Sequence, residues 1–167
     1  MKLSPSICLT VAFCLLFVEQ AFSIEVGDSI PSCVLNKINK PKDVVNLDQY
    51  KGQVIYLDFW ASWCGPCVKS FPYMNDLEKE FKSKGLQVIA VNLDENIDDA
   101  YGFLEKVPAN FMLVQDANQQ CAKDLELKAM PTSYLIDRKG VVRHIHLGFR
   151  SGEVGDMQSL LKQLLSN

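Results

Sequence analysis

This chain of 167 residues has a small net charge, few histidine residues and few long apolar runs. Its 17 lysine and arginine residues nearly balance 20 aspartate and glutamate residues, which leaves a net charge of −3. Because nucleic acids and anionic membranes attract strongly basic proteins, this balance argues against either as a partner. The sequence also contains no internal repeat and no low-complexity linker.

Histidine occurs only as His144 and His146, which share one face of a predicted strand. Two imidazoles are too few for a metal centre on their own, because a structural zinc ion takes four ligands. We therefore predict a solvated strand face here, with no metal and no other cofactor.

The apolar stretch at residues 7–18 spans 12 residues, fewer than the roughly 20 that a membrane-spanning helix needs. It follows Lys2 and precedes small residues at Ala21 and Ser23, which is the pattern of an export signal. We predict cleavage after Ser23, with a retained N-terminal membrane anchor as the alternative. The expected organisation is a signal peptide at 1–23 and one domain at 24–167, periplasmic or otherwise exported.

Six cysteines are present, two of them in the predicted signal. An exported protein meets an oxidising environment, in which disulfides persist. For Cys33 and Cys121 we expect two separate buried thiols, with a structural disulfide as the alternative. Cys64 and Cys67 differ, because a disulfide that closes so small a loop adds little stability.

Residues 63–67 read Trp-Cys-Gly-Pro-Cys and lie between an apolar run at 54–60 and a helical pattern that begins at Pro66. Two thiols three positions apart at a strand-to-helix turn can close into a disulfide and open again. The helix N-terminus favours the thiolate form of the first thiol. The motif therefore predicts thiol–disulfide exchange at Cys64 and Cys67. A zinc site there would need two further ligands.

Strand and helix patterns alternate along the rest of the chain, which predicts an α/β sandwich with a mixed central sheet flanked by helices. We expect an N-terminal hairpin over 30–47, strands at 54–60, 86–93, 111–114, 132–137 and 141–147, and helices at 66–84, 94–107, 118–125 and 151–165.

Three segments carry a resemblance to a known family. They are Asp-Phe-Trp-Ala-Ser-Trp-Cys-Gly-Pro-Cys at 58–67, Pro72 in the following helix, and Met-Pro-Thr at 130–132. In these features the chain resembles thioredoxin-fold proteins of the TlpA/ResA-like branch, the exported thiol–disulfide reductases of bacteria. The hairpin and the helix–strand unit at 94–116 also resemble that branch. The resemblance implies a thioredoxin-like sandwich with an extra central helix–strand insertion.

The resemblance also implies roles for the motif residues. Cys64 is expected to be the exposed nucleophile, and Cys67, deeper in the helix, the resolving thiol. Asp58 is expected to lie beneath the pair and to accept the proton of the second thiol. An Asp bonded to backbone at a strand end is the alternative. Ala90 stands where thioredoxin has a lysine, so Asp58 should have less charge compensation.

Further residues are expected on the substrate side. Pro131 matches the cis-proline that faces the active-site disulfide in the family, with an ordinary trans proline as the alternative. Its neighbour Met130 would offer main-chain groups to an extended substrate peptide, and Trp63 would form part of the docking surface. Trp60, by contrast, is expected in the core.

The function implied is an exported thiol:disulfide oxidoreductase that reduces protein disulfides. The Gly-Pro insert resembles that of thioredoxin, whose potential is about −270 mV against about −120 mV for the oxidant DsbA. By resemblance, the partners are disulfide-containing proteins and a membrane electron donor of the DsbD/CcdA kind, and we expect a monomer. Cytochrome c maturation is disfavoured, because Ser70 replaces an acidic residue and the segment at 128–133 departs from the pattern of members in that pathway.

Two alternatives remain open from the residues. One is a thiol-dependent peroxidase of the redoxin type, although the pattern of Pro and Thr or Ser leading to a lone cysteine is missing. The other is a redox-inert thioredoxin-fold binding module, against which the intact Cys64 and Cys67 argue.

Overall fold

The computed structural model describes residues 24–150, 152 and 154–166, so the predicted signal peptide at 1–23 lies outside the described residues. Among these residues, no helix has both the length and the apolar character needed to cross a membrane. The strands are β1 (Val34–Lys37), β2 (Lys40–Asn46), β3 (Val54–Trp60), β4 (Leu86–Asn92), β5 (Met112–Gln115), β6 (Thr132–Ile136) and β7 (Val142–Leu147). The α-helices are α1 (Cys67–Phe81), α2 (Ile97–Leu104), α3 (Gln120–Asp124) and α4 (Val154–Ser166).

These strands form one mixed sheet in the order β2-β1-β5-β4-β3-β6-β7. The central strands β3, β4 and β5 are parallel. The β1–β2 hairpin adds antiparallel to β5 on one side, and β6 and β7 add antiparallel to β3 on the other. The predicted mixed sheet, the hairpin and the inserted α2–β5 unit are all confirmed.

Strand β3 lies at the centre of the core, and every one of its residues is buried. Alternate side chains of a strand point to opposite faces of the sheet. Tyr56, Asp58 and Trp60 therefore share one face, on which residues of α1, α2 and α4 pack. The other face is covered by α3 and residues of the N-terminal hairpin. Asp58 is thus a carboxyl group on the face beneath α1.

Helix α1 begins at Cys67, one residue later than predicted, and contains Pro72. A short 3-10 turn at Lys82–Lys84 continues it to Gly85, whose φ of 96° lies in the left-handed region that glycine adopts at little cost. Because the helix starts at Cys67, Cys64 lies in the turn before it and not in its first turn.

Helix α2 begins at Ile97, three residues after the predicted start at Asp94. Asn96 caps it, since the Asn96 side chain accepts a hydrogen bond from the backbone N–H of Asp98. Asp94 remains outside the helix because its carboxylate is bonded to the loop that follows β3. Asp98 and Asp99 of the acidic run therefore lie in the first turn of α2, whereas Asp94 anchors the loop after β3.

A disulfide joins Cys33 to Cys121 with the Cα atoms 5.2 Å apart, so the expectation of two separate thiols is wrong. Cys33 immediately precedes β1 and Cys121 lies in α3, and both are buried in the apolar cluster beneath the hairpin. With 88 positions between them, only the folded sheet brings the two residues together. The bond ties the hairpin to α3.

Replacing both residues, Cys33→Ser with Cys121→Ser, should lower the free energy of unfolding by roughly 2–5 kcal/mol, because the unfolded chain is then no longer cross-linked across a long loop. Urea titrations of the oxidised variant and the oxidised wild type measure the difference. The Cys64–Cys67 pair should still close in the variant. Equal urea midpoints would contradict a stabilising role for this bond.

Candidate active site

The Cys64–Cys67 disulfide closes at the start of α1, with the Cα atoms 5.3 Å apart. The backbone N–H of Cys64 donates to the Ala61 carbonyl, and that of Cys67 donates to the Cys64 carbonyl, each at 3.0 Å. These two turns bring the sulfurs together. Cys67 is fully buried and Cys64 is 4% exposed. The prediction of an exposed Cys64 is therefore wrong for this disulfide form, although Cys67 is the more deeply buried of the two, as predicted.

Asp94 anchors the loop that carries Cys64. Its carboxylate oxygens accept the backbone N–H of Ser62 at 2.9 and 3.1 Å, and Oδ1 also accepts the Ser62 hydroxyl at 2.9 Å. The Asn92 side-chain amide donates to Oδ2 at 2.8 Å. Because β3 and β4 are parallel, their carboxyl ends meet at the same sheet edge. The parallel pairing of β3 and β4 indicates that the residues after the two strands lie close together. The sequence analysis did not predict this role of Asp94.

Asp58 is fully buried in β3, and its Oδ1 accepts a hydrogen bond of 2.6 Å from the Ser133 hydroxyl. Its Oδ2 has no hydrogen-bond partner among the described residues. Ala90 lies directly opposite on β4, as expected from the missing lysine. Burial raises the pKa of Asp58 to about 7, and the Ser133 hydrogen bond opposes that rise. The group that donates to Asp58 is the side chain of Ser133. The alternative prediction, in which backbone groups bond Asp58 at a strand end, is therefore wrong.

Ser133 is a site residue that the sequence interpretation missed. It lies opposite Asp58 in the register of β3 and β6, and the Tyr56 hydroxyl donates to its Oγ at 2.9 Å. Tyr56, Ser133 and Asp58 thus form a buried chain of two hydrogen bonds on the face beneath α1. The available signal was a polar residue in a buried strand, two positions after Pro131.

Two of the three residues that were expected on the substrate side, Trp63 and Met130, line one groove. The Met130–Pro131 peptide bond is cis, and the trans alternative is wrong. Trp63 is 71% exposed, whereas Trp60 is buried in the core as predicted. Trp63 and Met130 line a groove of about 480 Å³ whose other wall includes residues of α3. Trp63 connects this groove to the disulfide, because it directly precedes Cys64 in the chain.

His144 and His146 stack with ring centroids 6.3 Å apart and are half-buried, so this strand face is less solvated than predicted. Burial, followed by the neighbouring His146, lowers the pKa of His144. Within the part of the chain that the structure describes, no group of three or more potential ligands could hold a metal ion.

A thioredoxin-like sheet with a Cys-Gly-Pro-Cys disulfide at the start of a helix defines a class of thiol:disulfide oxidoreductases. The model of the Redoxin family matches residues 25–164. The chain belongs to this family, in its TlpA/ResA-like branch, and it is a thiol:disulfide oxidoreductase.

Individual relatives agree. The chain is 33% identical over 141 residues to the thiol-disulfide oxidoreductase ResA of Bacillus subtilis (strain 168), covering 84% of this chain and 78% of the relative. ResA of Geobacillus kaustophilus (strain HTA426) is 31% identical over 137 residues, covering 82% and 78%. A crystal structure from Chlorobium tepidum, assigned as a thiol:disulfide interchange protein DsbE, is 44% identical with a TM-score of 0.81, covering 86% of this chain and 99% of that one.

The Asp58 carboxyl group should make stability depend on pH. Its pKa is about 7 in the folded protein against an ordinary 3.8, so between these values the native state holds the extra proton and stability falls as the pH rises. The full difference corresponds to about 4 kcal/mol, reached above pH 7. Asp58→Asn removes this ionisation. In urea titrations the variant should be the more stable protein at about pH 8 and match the wild type near pH 4.

Parallel pH profiles for the two proteins would contradict a raised pKa at Asp58.

Proposed function

We propose that this chain is an exported reductant of protein disulfides that works through a Cys64–Cys67 dithiol–disulfide cycle. The observation that carries the proposal is that this disulfide packs in the apolar cluster on the sheet face to which the Asp58 side chain points. Asp58 is fully buried and its Oδ2 has no hydrogen-bond partner among the described residues. A buried carboxylate oxygen without a hydrogen-bond partner can accept a proton from a buried thiol.

The cycle begins with the reduced dithiol. The Cys64 thiolate attacks a substrate disulfide, forms a mixed disulfide and releases one substrate thiolate. The Cys67 thiol then gives its proton to the Asp58 carboxylate. The Cys67 thiolate attacks the Cys64 sulfur, breaks the mixed disulfide and releases the second substrate thiolate. Two electrons pass to the substrate, and the Cys64–Cys67 disulfide remains.

The direction of electron flow rests on the two residues between the cysteines. A Gly-Pro insert resembles that of thioredoxin, a reductant with a potential of about −270 mV. In an oxidising compartment the oxidised protein needs a source of electrons. A membrane donor of the DsbD/CcdA kind would supply them, and the chain would act as a monomer.

Export is supported by the Cys33–Cys121 bond together with the N-terminal pattern. Both cysteines are buried and belong to the core, which suits a structural bond. Structural disulfides of this kind persist in oxidising compartments and are rare in the cytosol. We assign residues 1–23 as a signal peptide and 24–167 as the mature domain. N-terminal sequencing of the protein from its native host distinguishes a chain that begins near Ile24 from one that retains Met1.

The substrates are disulfide-containing proteins, docked in the groove between Trp63 and Met130. The exposed indole of Trp63 offers an apolar contact beside the disulfide. Ser70 is fully buried, and its hydroxyl donates to the Cys67 carbonyl at 3.1 Å. In the branch that this chain resembles, members that serve cytochrome c maturation often have an acidic residue at this position, so the serine weakens an assignment to that pathway.

Trapping of substrates tests the two thiol roles. Cys67→Ser keeps the nucleophile but removes the thiol that resolves the mixed disulfide, so covalent complexes should accumulate in the native compartment. Cys64→Ser should trap little, because Cys67 is fully buried. Non-reducing gels measure the complexes, and a variant with both substitutions serves as the matched control.

Equal or stronger trapping by Cys64→Ser would reverse the assignments. If neither variant trapped a protein while wild type still reduced insulin, the substrate would be a small-molecule disulfide.

A further inference from the structure

We propose that Ser133 is a positioning residue for the resolving step, because its hydroxyl occupies Oδ1 of Asp58 and leaves Oδ2 as the proton acceptor for Cys67. This inference rests on the proposed role of Asp58. It adds a residue from β6 to the proton acceptor on β3 and the two cysteines at the start of α1.

The direction of the two hydrogen bonds is fixed by chemistry. A hydroxyl group has one proton to donate, and Ser133 donates it to Asp58 Oδ1 at 2.6 Å while accepting from Tyr56 at 2.9 Å. Burial and the nearby Asp58 hold the pKa of Tyr56 well above its usual range, so Tyr56 remains a donor. The hydroxyl proton of Ser133 is therefore donated to Asp58.

The strand register makes this contact a property of the backbone. Ser133 is the cross-strand partner of Asp58 on β6, and Ala90 is the partner on β4. Directly opposed residues on one sheet face have Cβ atoms about 4.5–5.5 Å apart, close enough for short side chains to bond. The Ala90 methyl group offers no donor. Without the Ser133 hydroxyl, neither cross-strand neighbour could stabilise the carboxylate.

A hydrogen bond to the ionised form of a carboxyl group favours ionisation. Loss of the Ser133 hydroxyl would therefore leave less of Asp58 in the carboxylate form at neutral pH. The resolving step would slow there, and it would recover at a pH where Asp58 is ionised in either protein. Attack by Cys64 on the substrate would not change.

Other titratable groups face the same region. Tyr56 comes from β3, Tyr73 and the two cysteines come from α1 and its preceding turn, and His146 pairs with Ser133 from β7. On α4, Asp156 acts on His144. Because His146 lies directly across from Ser133, the experiment must distinguish Asp58 from this imidazole.

The test is a stopped-flow pH profile of the reduced full protein mixed with one equivalent of the chromogenic disulfide dithiobis(nitrobenzoate). The first release of coloured thiolate reports attack by Cys64, and the second reports resolution by Cys67. In Ser133→Ala the midpoint of the second phase should rise by about one pH unit, which slows that phase about fivefold at pH 7 and leaves its rate at pH 9 unchanged. The first phase should be unaffected.

Four variants serve as controls. Ser133→Thr keeps the hydroxyl and should retain the wild-type midpoint. Ser70→Ala removes a serine that is equally buried and close to Cys67 but bonded only to the Cys67 carbonyl, and it should also keep that midpoint. Asp58→Asn should lose the midpoint altogether, whereas His146→Gln should keep it.

The outcomes separate the two claims. If Asp58→Asn keeps the wild-type midpoint, Asp58 is not the proton acceptor and the inference fails with it. If Asp58→Asn loses the midpoint but Ser133→Ala keeps the wild-type value, Asp58 retains its role and Ser133 has none in positioning it. If the second phase of Ser133→Ala were slower by the same factor at every pH, Ser133 would have only a structural role.

Discussion

The buried carboxyl group of Asp58 is the constraint on which the active site depends. It lies in the central strand of the sheet with a single hydrogen bond, from Ser133, and with no ion pair among the described residues. Burial disfavours the charged form of such a group. The carboxyl group therefore changes its charge near neutral pH, where an exposed aspartate is already ionised. This property costs stability and makes Asp58 suitable as a proton acceptor for a buried thiol.

Asp94 is a second buried carboxyl group near the cysteines, and its hydrogen bonding differs from that of Asp58. Both carboxyl groups are buried, but Asp94 receives hydrogen bonds from the backbone and hydroxyl of Ser62 and from Asn92, whereas Asp58 receives one. The Asp94 carboxyl group anchors the loop before Cys64, whereas Asp58 keeps one oxygen atom without a hydrogen-bond partner among the described residues. On the opposite face of the sheet, the Cys33–Cys121 bond adds stability that opposes the cost of burying Asp58.

Local patterns predicted the parts of the molecule that depend on neighbours along the chain. The apolar run of β3, the helical spacing of α1 and the Cys-Gly-Pro-Cys turn needed no tertiary information, and the resemblance supplied the cis bond before Pro131. Three of the misses involve residues far apart in sequence. Cys33 meets Cys121 across 88 positions, Ser133 meets Asp58 only through the register of antiparallel strands, and Asp94 meets Ser62 only because β3 and β4 are parallel. Which of these distant segments pair with one another is decided by the whole fold, so residues that are adjacent in the chain do not reveal these contacts.

The most direct test of this account is the ionisation of Asp58 itself, in the oxidised protein with both disulfides formed. The chemical shift of its carboxyl carbon, assigned by comparison with Asp58→Asn, can be followed by NMR from about pH 4 to about pH 9. The account predicts a single titration with a midpoint near 7. A midpoint near the ordinary 3.8 would mean that the carboxylate is already ionised in the folded protein at neutral pH, and it would contradict the account.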